Sequence, residues 1–246
     1  MGISILVPTL GNVNYLELFC RSVEQNTTVP FEILIWNNEN ITAVEDFCKS
    51  KGYRHFYSDV NLGITKPYNV MVRNAHYDLI FLADDDYYCL PGWDSITQGV
   101  EDVYWKRPAL IDPRDYMSIR SILGKYGYDE FTFAEAALLS DFNGKFVPDT
   151  LGTHMPPVMK KQDYIEIGGF NEDFYVGETD FLWRAFCYYQ MNEWKQVICG
   201  TSFIYHFGSK TQKPFSGRAD NMKCNEYLIE TYAMDEKQLG IIMGIQ

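Results

Sequence analysis

The chain has no C-x-x-C pair, no G-x-G-x-x-G, no G-K-S/T and no apolar run long enough to cross a bilayer. Each absence removes a class of function. The six cysteines stand at 20, 48, 89, 187, 199 and 224 and the four histidines are as scattered, so a structural zinc module lacks ligands at usable spacing. Thiols placed this way fit reduced, mostly buried cysteines, and the expected location is cytoplasmic. Without either glycine fingerprint there is no dinucleotide loop and no P-loop, and a nucleotide must be held by other means. Met1-Gly2-Ile3-Ser4 carries no basic region before a cleavable apolar segment, and Leu6 breaks the myristoylation pattern that Gly2 begins. No transmembrane segment is expected. Positive charge is also scarce, with 21 Lys and Arg against 33 Asp and Glu for a formal net charge of −12. No extended nucleic-acid surface is evident, because phosphate binding relies on clustered cations. The same balance suits a cation that holds an anionic substrate.

What the chain does have is a buried-looking run delivering acids. Tyr77-Asp78-Leu79-Ile80-Phe81-Leu82-Ala83 reads as a strand, and Asp84-Asp85-Asp86 follows before Tyr87 and Tyr88. In open α/β sheets ligands sit at the C-terminal ends of strands. Three adjacent carboxylates repel one another, and a hard divalent ion such as Mn²⁺ or Mg²⁺ is the natural counter-charge. An acidic turn with solvated side chains is the plainer alternative.

The first ninety of the 246 residues alternate strand and helix. Ile3–Val7 is an apolar run stopped by Pro8, and Tyr15–Gln25 has a helix-like apolar face. Phe31–Trp36 is a second strand ending in Asn37-Asn38-Glu39-Asn40. Val44–Lys51 is a short helix closed by Gly52. Tyr53–Tyr57 is a third strand turning at Asn61-Leu62-Gly63, and Ile64–Ala75 is a helix that tolerates Pro67 in its first turn. The alternation is that of βαβ units in a parallel sheet. Further on, helices are expected over Pro91–Tyr104, Phe131–Leu139, Asp163–Ile167, Phe181–Met191 and from Arg218 onward. Short strands are expected at Ala109–Ile111, Met155–Met159, Gln196–Cys199 and Ser202–Tyr205, the last running into His206. The stretch from Pro113 to Asp149 has no clear pattern.

Taken in order, these landmarks resemble the inverting GT-A glycosyltransferases of family two. Val7-Pro8-Thr9 is similar to that family's V-P-S/T opening, and Trp36-Asn37-Asn38 stands where it has D-N or D-D. Asn61-Leu62-Gly63 with Asn69 matches N-x-G…N, and Phe81 to Asp86 matches F-L-x-x-D-D. Gly168-Gly169-Phe170-Asn171-Glu172 matches G-G-F-D/N-E, Glu178-Thr179-Asp180-Phe181 with Arg184 resembles E-D-x-D-L-x-x-R, and Tyr205-His206-Phe207-Gly208 resembles the late metal histidine. The pattern covers about residues 3 to 210 and departs at three positions: Asn37 and Ala83 replace acids, and Glu178 stands for an aspartate.

The resemblance implies an α/β chain of GT-A fold, a Rossmann-like and mostly parallel central sheet flanked by helices, with a smaller acceptor-side region. It implies a domain over 1–215, split into a nucleotide-binding half (1–90) and an acceptor half (91–215), with a helical extension over 216–246. The implied activity is metal-dependent inverting transfer of a sugar from a UDP- or GDP-type donor to a glycan or other hydroxyl acceptor, a lipid-linked sugar, a protein or a modified nucleobase included. Asp84, Asp86 and His206 are the implied metal ligands, with Mn²⁺ or Mg²⁺. Pro8, Thr9, Asn37, Asn61, Gly63, Asp84 and Asp85 are implied to line the donor pocket. Glu178 is the implied base, and Asp180 orients the acceptor or forms an ordinary i,i+4 pair with Arg184. Lys66, Arg73 and Lys210 are candidate phosphate partners, and Trp93, Trp183 and Tyr175 candidate sugar platforms. A catalytically silent binding domain of the same fold is the alternative. A sugar nucleotidyltransferase is disfavoured because Leu10-Gly11-Asn12-Val13-Asn14 lacks a basic Gly-rich loop.

Overall fold

Four parallel strands begin the sheet: β1 (Ile3–Thr9), β2 (Phe31–Asn38), β3 (Arg54–Ser58) and β4 (Leu79–Leu82), in the spatial order β3-β2-β1-β4. The computed structural model describes residues 2–98, 105–111, 155–190, 196–207 and 217–235. The expected helix at Phe131–Leu139, the stretch 113–149 and Lys210 lie outside these. Helices α1 (Val13–Asn26), α2 (Thr42–Lys51) and α3 (Thr65–Asn74) make the crossovers.

Residue parity explains the layering. Side chains alternate across a strand, and both faces of β1, β2 and β4 are apolar, as a two-sided parallel sheet requires. Ile3, Ile5, Val7, Ile33, Ile35, Leu79 and Phe81 enter one core, where Leu16, Phe19 and Val23 of α1 and Val44 and Cys48 of α2 cover them. Leu6, Leu34, Trp36, Ile80 and Leu82 enter the other, under Tyr68, Met71 and Val72 of α3. That second core is shared with α4 (Lys161–Ile167), α5 (Glu178–Gln190) and α6 (Gly217–Tyr232).

Past β4 the sheet continues through β7 (Val158–Lys160), β6 (Trp105–Ile111), β8 (Gln196–His206) and β5 (Tyr87–Cys89), eight strands among the described residues. The β4·β7, β6·β7 and β5·β8 pairs are antiparallel, and β6·β8 is parallel. Among the described residues no helix is long and apolar enough to cross a membrane.

Several boundaries differ from the sequence expectations for local reasons. Pro8 does not stop β1; it pairs with Trp36 inside a strand that runs to Thr9. Leu6 C=O accepts from Ala83 N–H, and Pro8, two residues on, faces the same way where β4 has already ended. Its missing N–H therefore costs no ladder bond. The helix expected over Pro91–Tyr104 is, within the described part, only a 3-10 turn at Trp93–Thr97, and Asp94 spends its carboxylate on the Thr28 and Val29 backbone. The two short strands expected near residues 196 and 202 are one strand, whose register against β6 shifts between Pro108 and Ala109 so that Gly200, Thr201 and Ser202 bulge. Glu178, Thr179 and Asp180 are the first turn of α5 rather than a lead-in to it.

The loop after β3 docks on the loop before α5. Ile64 N–H donates to Tyr175 C=O at 2.7 Å, and a Cβ on Gly63 would lie 2.1 Å from the same oxygen. With φ at 68°, Gly63 is required twice over, by conformation and by space. Gly52 has a similar φ of 71° but open space around it. Gly63→Ala is therefore expected to cost about 3 kcal/mol or more and Gly52→Ala about 1–2 kcal/mol, read by urea unfolding. Equal costs would show that the contact with Tyr175 does not constrain the loop.

Candidate active site

The ends of β1, β2 and β4 and the loop after β3 lie along the C-terminal edge of the sheet, and the acids arrive there through a pinned turn. Ala83 N–H is held by Leu6 C=O, and Ala83 C=O accepts from the buried Tyr68 hydroxyl at 3.0 Å. The chain then turns through Asp85 and Asp86 into β5. The three carboxylates are sorted by what they face. Asp85, buried, accepts from Thr9 Oγ1 at 2.5 Å, and Thr9 Oγ1 accepts in turn from Gly11 N–H. Asp86, also buried, has Oδ1 3.3 Å from His206 Nε2.

His206 is the last residue of β8 and stands opposite Tyr87, while Phe207 N–H donates to Asp86 C=O at 3.0 Å. Ligand atoms of Asp84, Asp86 and His206 all lie within 4.8 Å of one another. Two carboxylates and an imidazole are a donor set for Mn²⁺ or Mg²⁺ chemistry. Bond lengths of about 2.0–2.2 Å place two ligands of one ion roughly 3–4.4 Å apart, so these residues fit such an ion with small side-chain movement.

Glu178 opens α5 and is half-buried. Loss of hydration and the nearby Asp84 carboxylate push its acid up to about 7, with His206 pulling weakly the other way. Asp180, two residues on, is buried and accepts from Arg184 Nε and Nη2 at 3.0 and 2.6 Å. Arg184 Nη1 also donates to Ile167 C=O, so the pair ties α5 to the end of α4. This is the i,i+4 arrangement the sequence offered as the plainer role for Asp180.

Other expected donor-pocket residues are already engaged. Pro8 is buried in β1. Asn37 uses both ends of its amide on Ile41, holding the turn after β2. Asn61 Oδ1 accepts from Gly63 N–H, and Gly63 C=O accepts from Asn38 Nδ2. The close backbone approach at Gly63 is to Tyr175. Trp93 is a core residue, Trp183 packs between Phe186 and Tyr232, and Tyr175 is 44% exposed. Lys66 and Arg73 are exposed on α3.

Sequence reasoning missed three organising residues. Asn38 accepts from Leu62 N–H and Trp36 Nε1 as well as donating to Gly63. Tyr68 reaches the acid turn from α3 and stacks on Phe170 at 5.5 Å. Tyr87 brings its phenol beside the Asp84 carboxylate and meets the His206 ring edge-on at 5.0 Å and 89°. Its only signal in the sequence was a position directly after the acids. Asn69, noted as part of a motif, proves to be a clamp: its amide makes four bonds, to Tyr164, to Glu172 and to Phe170 N–H and C=O.

Residues 4–100 match the family model described as Glycosyl transferase family 2. The chain is similar to the Bacillus subtilis (strain 168) protein called uncharacterized glycosyltransferase YwdF, at 26% identity over 214 residues, 84% of this chain and 75% of that one. Its fold is similar to that of S. aureus TarS 1-349, with a TM-score of 0.64 at 13% identity over 98% of this chain and 69% of that one. For S. aureus TarS 1-349 in complex with UDP the TM-score is 0.58 at 12% identity, over 98% of this chain and 74% of that one. At those identities the structural likeness concerns the fold.

The raised acid of Glu178 makes a stability prediction. A carboxyl with a folded pKa of about 7 against an unfolded 4.5 binds its proton more tightly when folded, so it withdraws stability as pH rises from 4.5 through 7. Glu178→Gln is therefore expected to raise the metal-free unfolding free energy relative to wild type at pH 8 by on the order of 2 kcal/mol, read by urea unfolding, with no gain near pH 4.5. An equal difference at both pH values would refute the placement of Glu178 beside Asp84.

Proposed function

We propose that the chain is a glycosyltransferase of family 2 with the GT-A fold and that it moves a sugar from a nucleoside-diphosphate donor to an acceptor hydroxyl with inversion, using Mn²⁺ or Mg²⁺. The observation that carries this reading is the convergence of Asp84, Asp86 and His206 beside a half-buried Glu178. The UDP complex of the structurally similar S. aureus TarS favours a uridine donor.

Asp84, Asp86 and His206 would hold the cation, which supplies Lewis-acid neutralisation of charge developing on the departing diphosphate. Thr9 and Asp85 form the floor below the donor, beside Pro8. The turns held by Asn37, Asn61 and Gly63 form its walls. Glu178 takes the proton from the acceptor hydroxyl as it attacks the anomeric carbon. A base that titrates near 7 in its free form matches that task at neutral pH. One carboxylate suffices because leaving-group protonation is not needed, whereas hydrolysis of a glycoside uses two. Asp180 keeps α5, and so Glu178, in place through Arg184. The acceptor is a glycan or another hydroxyl compound.

Glu178→Gln is expected to keep Mn²⁺-dependent donor binding and lose transfer by roughly two to four orders of magnitude. Asp86→Ala and His206→Ala should weaken that binding, measured by calorimetry with UDP and Mn²⁺. Transfer should rise with pH over a limb at or below 7, since the base must be ionised and a cation on Asp84 removes part of the repulsion that raises it. Nucleoside diphosphate release from a panel of sugar donors is the assay. Wild-type turnover by Glu178→Gln removes Glu178 as the base, and Asp180→Asn run in parallel tests the other carboxylate.

A further inference from the structure

Two of the three converging ligands are set by backbone. Asp86 and His206 are joined through the β5·β8 ladder, with Phe207 N–H on Asp86 C=O and Tyr87 opposite His206. Asp84 lies outside that ladder, between the end of β4 and the turn at Asp85-Asp86, and is the most exposed of the three. Tyr87 spans the gap. Its phenol lies beside the Asp84 carboxylate three residues back, and its ring stands perpendicular to His206 with centroids 5.0 Å apart. One side chain, itself 3% exposed, thus packs on one of the three residues, lies beside a second and is covalently adjacent to the third.

We infer that Tyr87 is a positioning residue for the cation site: its hydroxyl holds the Asp84 carboxylate and its ring fixes the His206 imidazole, so that both present ligand atoms before the ion arrives. This rests on the metal-site reading above and adds to it a named determinant of affinity. The physical reason is preorganisation. Asp84 and Asp86 repel each other without a cation, and a free Asp84 side chain relaxes toward solvent. A donor hydroxyl on one carboxylate oxygen leaves the other available and keeps it near Asp86. Partners of this kind behind metal ligands are typically worth about 10–100-fold in metal affinity.

The test is Mn²⁺ binding followed by the EPR signal of the free ion, with metal-free Tm measured alongside. Tyr87→Phe keeps the ring and removes the hydroxyl, and its Mn²⁺ dissociation constant should rise about tenfold with the metal-free Tm little changed. Tyr87→Leu removes both contacts and should weaken binding further. Tyr88→Phe, the next residue on β5, should bind Mn²⁺ as wild type does. Wild-type uptake with an unchanged constant in Tyr87→Phe overturns this inference alone. Equal losses in Tyr87→Phe and Tyr88→Phe also overturn it, because the effect then belongs to β5 as a whole. No uptake by the wild-type chain removes the cation site and this inference together.

Discussion

Asp84 and Glu178 repel each other at the C-terminal edge of the sheet, and the surrounding packing holds them there against that repulsion. The acid turn is pinned by both backbone groups of Ala83, one to β1 and one to Tyr68. Glu178 is carried in by the loop before α5, which Asn69 grips and against which Gly63 lies in backbone contact. Behind these bonds stand Tyr68, Phe170 and Phe181, with Phe170 and Phe181 only 4.5 Å apart. Buried aromatic surface and hydrogen bonds of this number offset the cost of gathering like charges, which a fold selected only for stability would spread apart.

Within the acid triplet the division of labour follows from neighbours. Asp85 faces Thr9 on the adjacent strand, while Asp84 and Asp86 converge with a histidine more than a hundred residues away. Ala83, which stands where many members of the resembled family carry another acid, joins the core and serves through its backbone. The loss of that carboxylate leaves the converging trio intact.

Much of the fold was legible because its signals are local. Strand parity, the Gly52 cap, Pro67 in a first turn and the βαβ alternation all depend on residues a few positions apart. The errors arose where a distant partner overrides a local rule. Pro8 is a strand breaker in isolation, and only the early end of β4 makes it harmless. Gly200, Thr201 and Ser202 read as a break, yet pairing with β6 carries the strand across them. Pro91-Gly92 opens a helical pattern, but Asp94 is drawn away to accept from the Thr28 and Val29 backbone.

The candidate site divides in the same way. By itself the sequence determined the residue types: three acids at a strand end, a carboxylate opening a helix, a histidine closing an apolar strand. It did so because each is marked by its immediate surroundings. Tertiary structure alone decided which acids meet His206, that the Asn37 amide and the Gly63 backbone hold turns, and that Asn69 and Tyr87 bind distant or off-ladder groups. The meeting with His206, the Asn69 clamp and the approach of Gly63 to Tyr175 depend on contacts between residues about a hundred or more positions apart, and side-chain spacing along the chain carries no information about them.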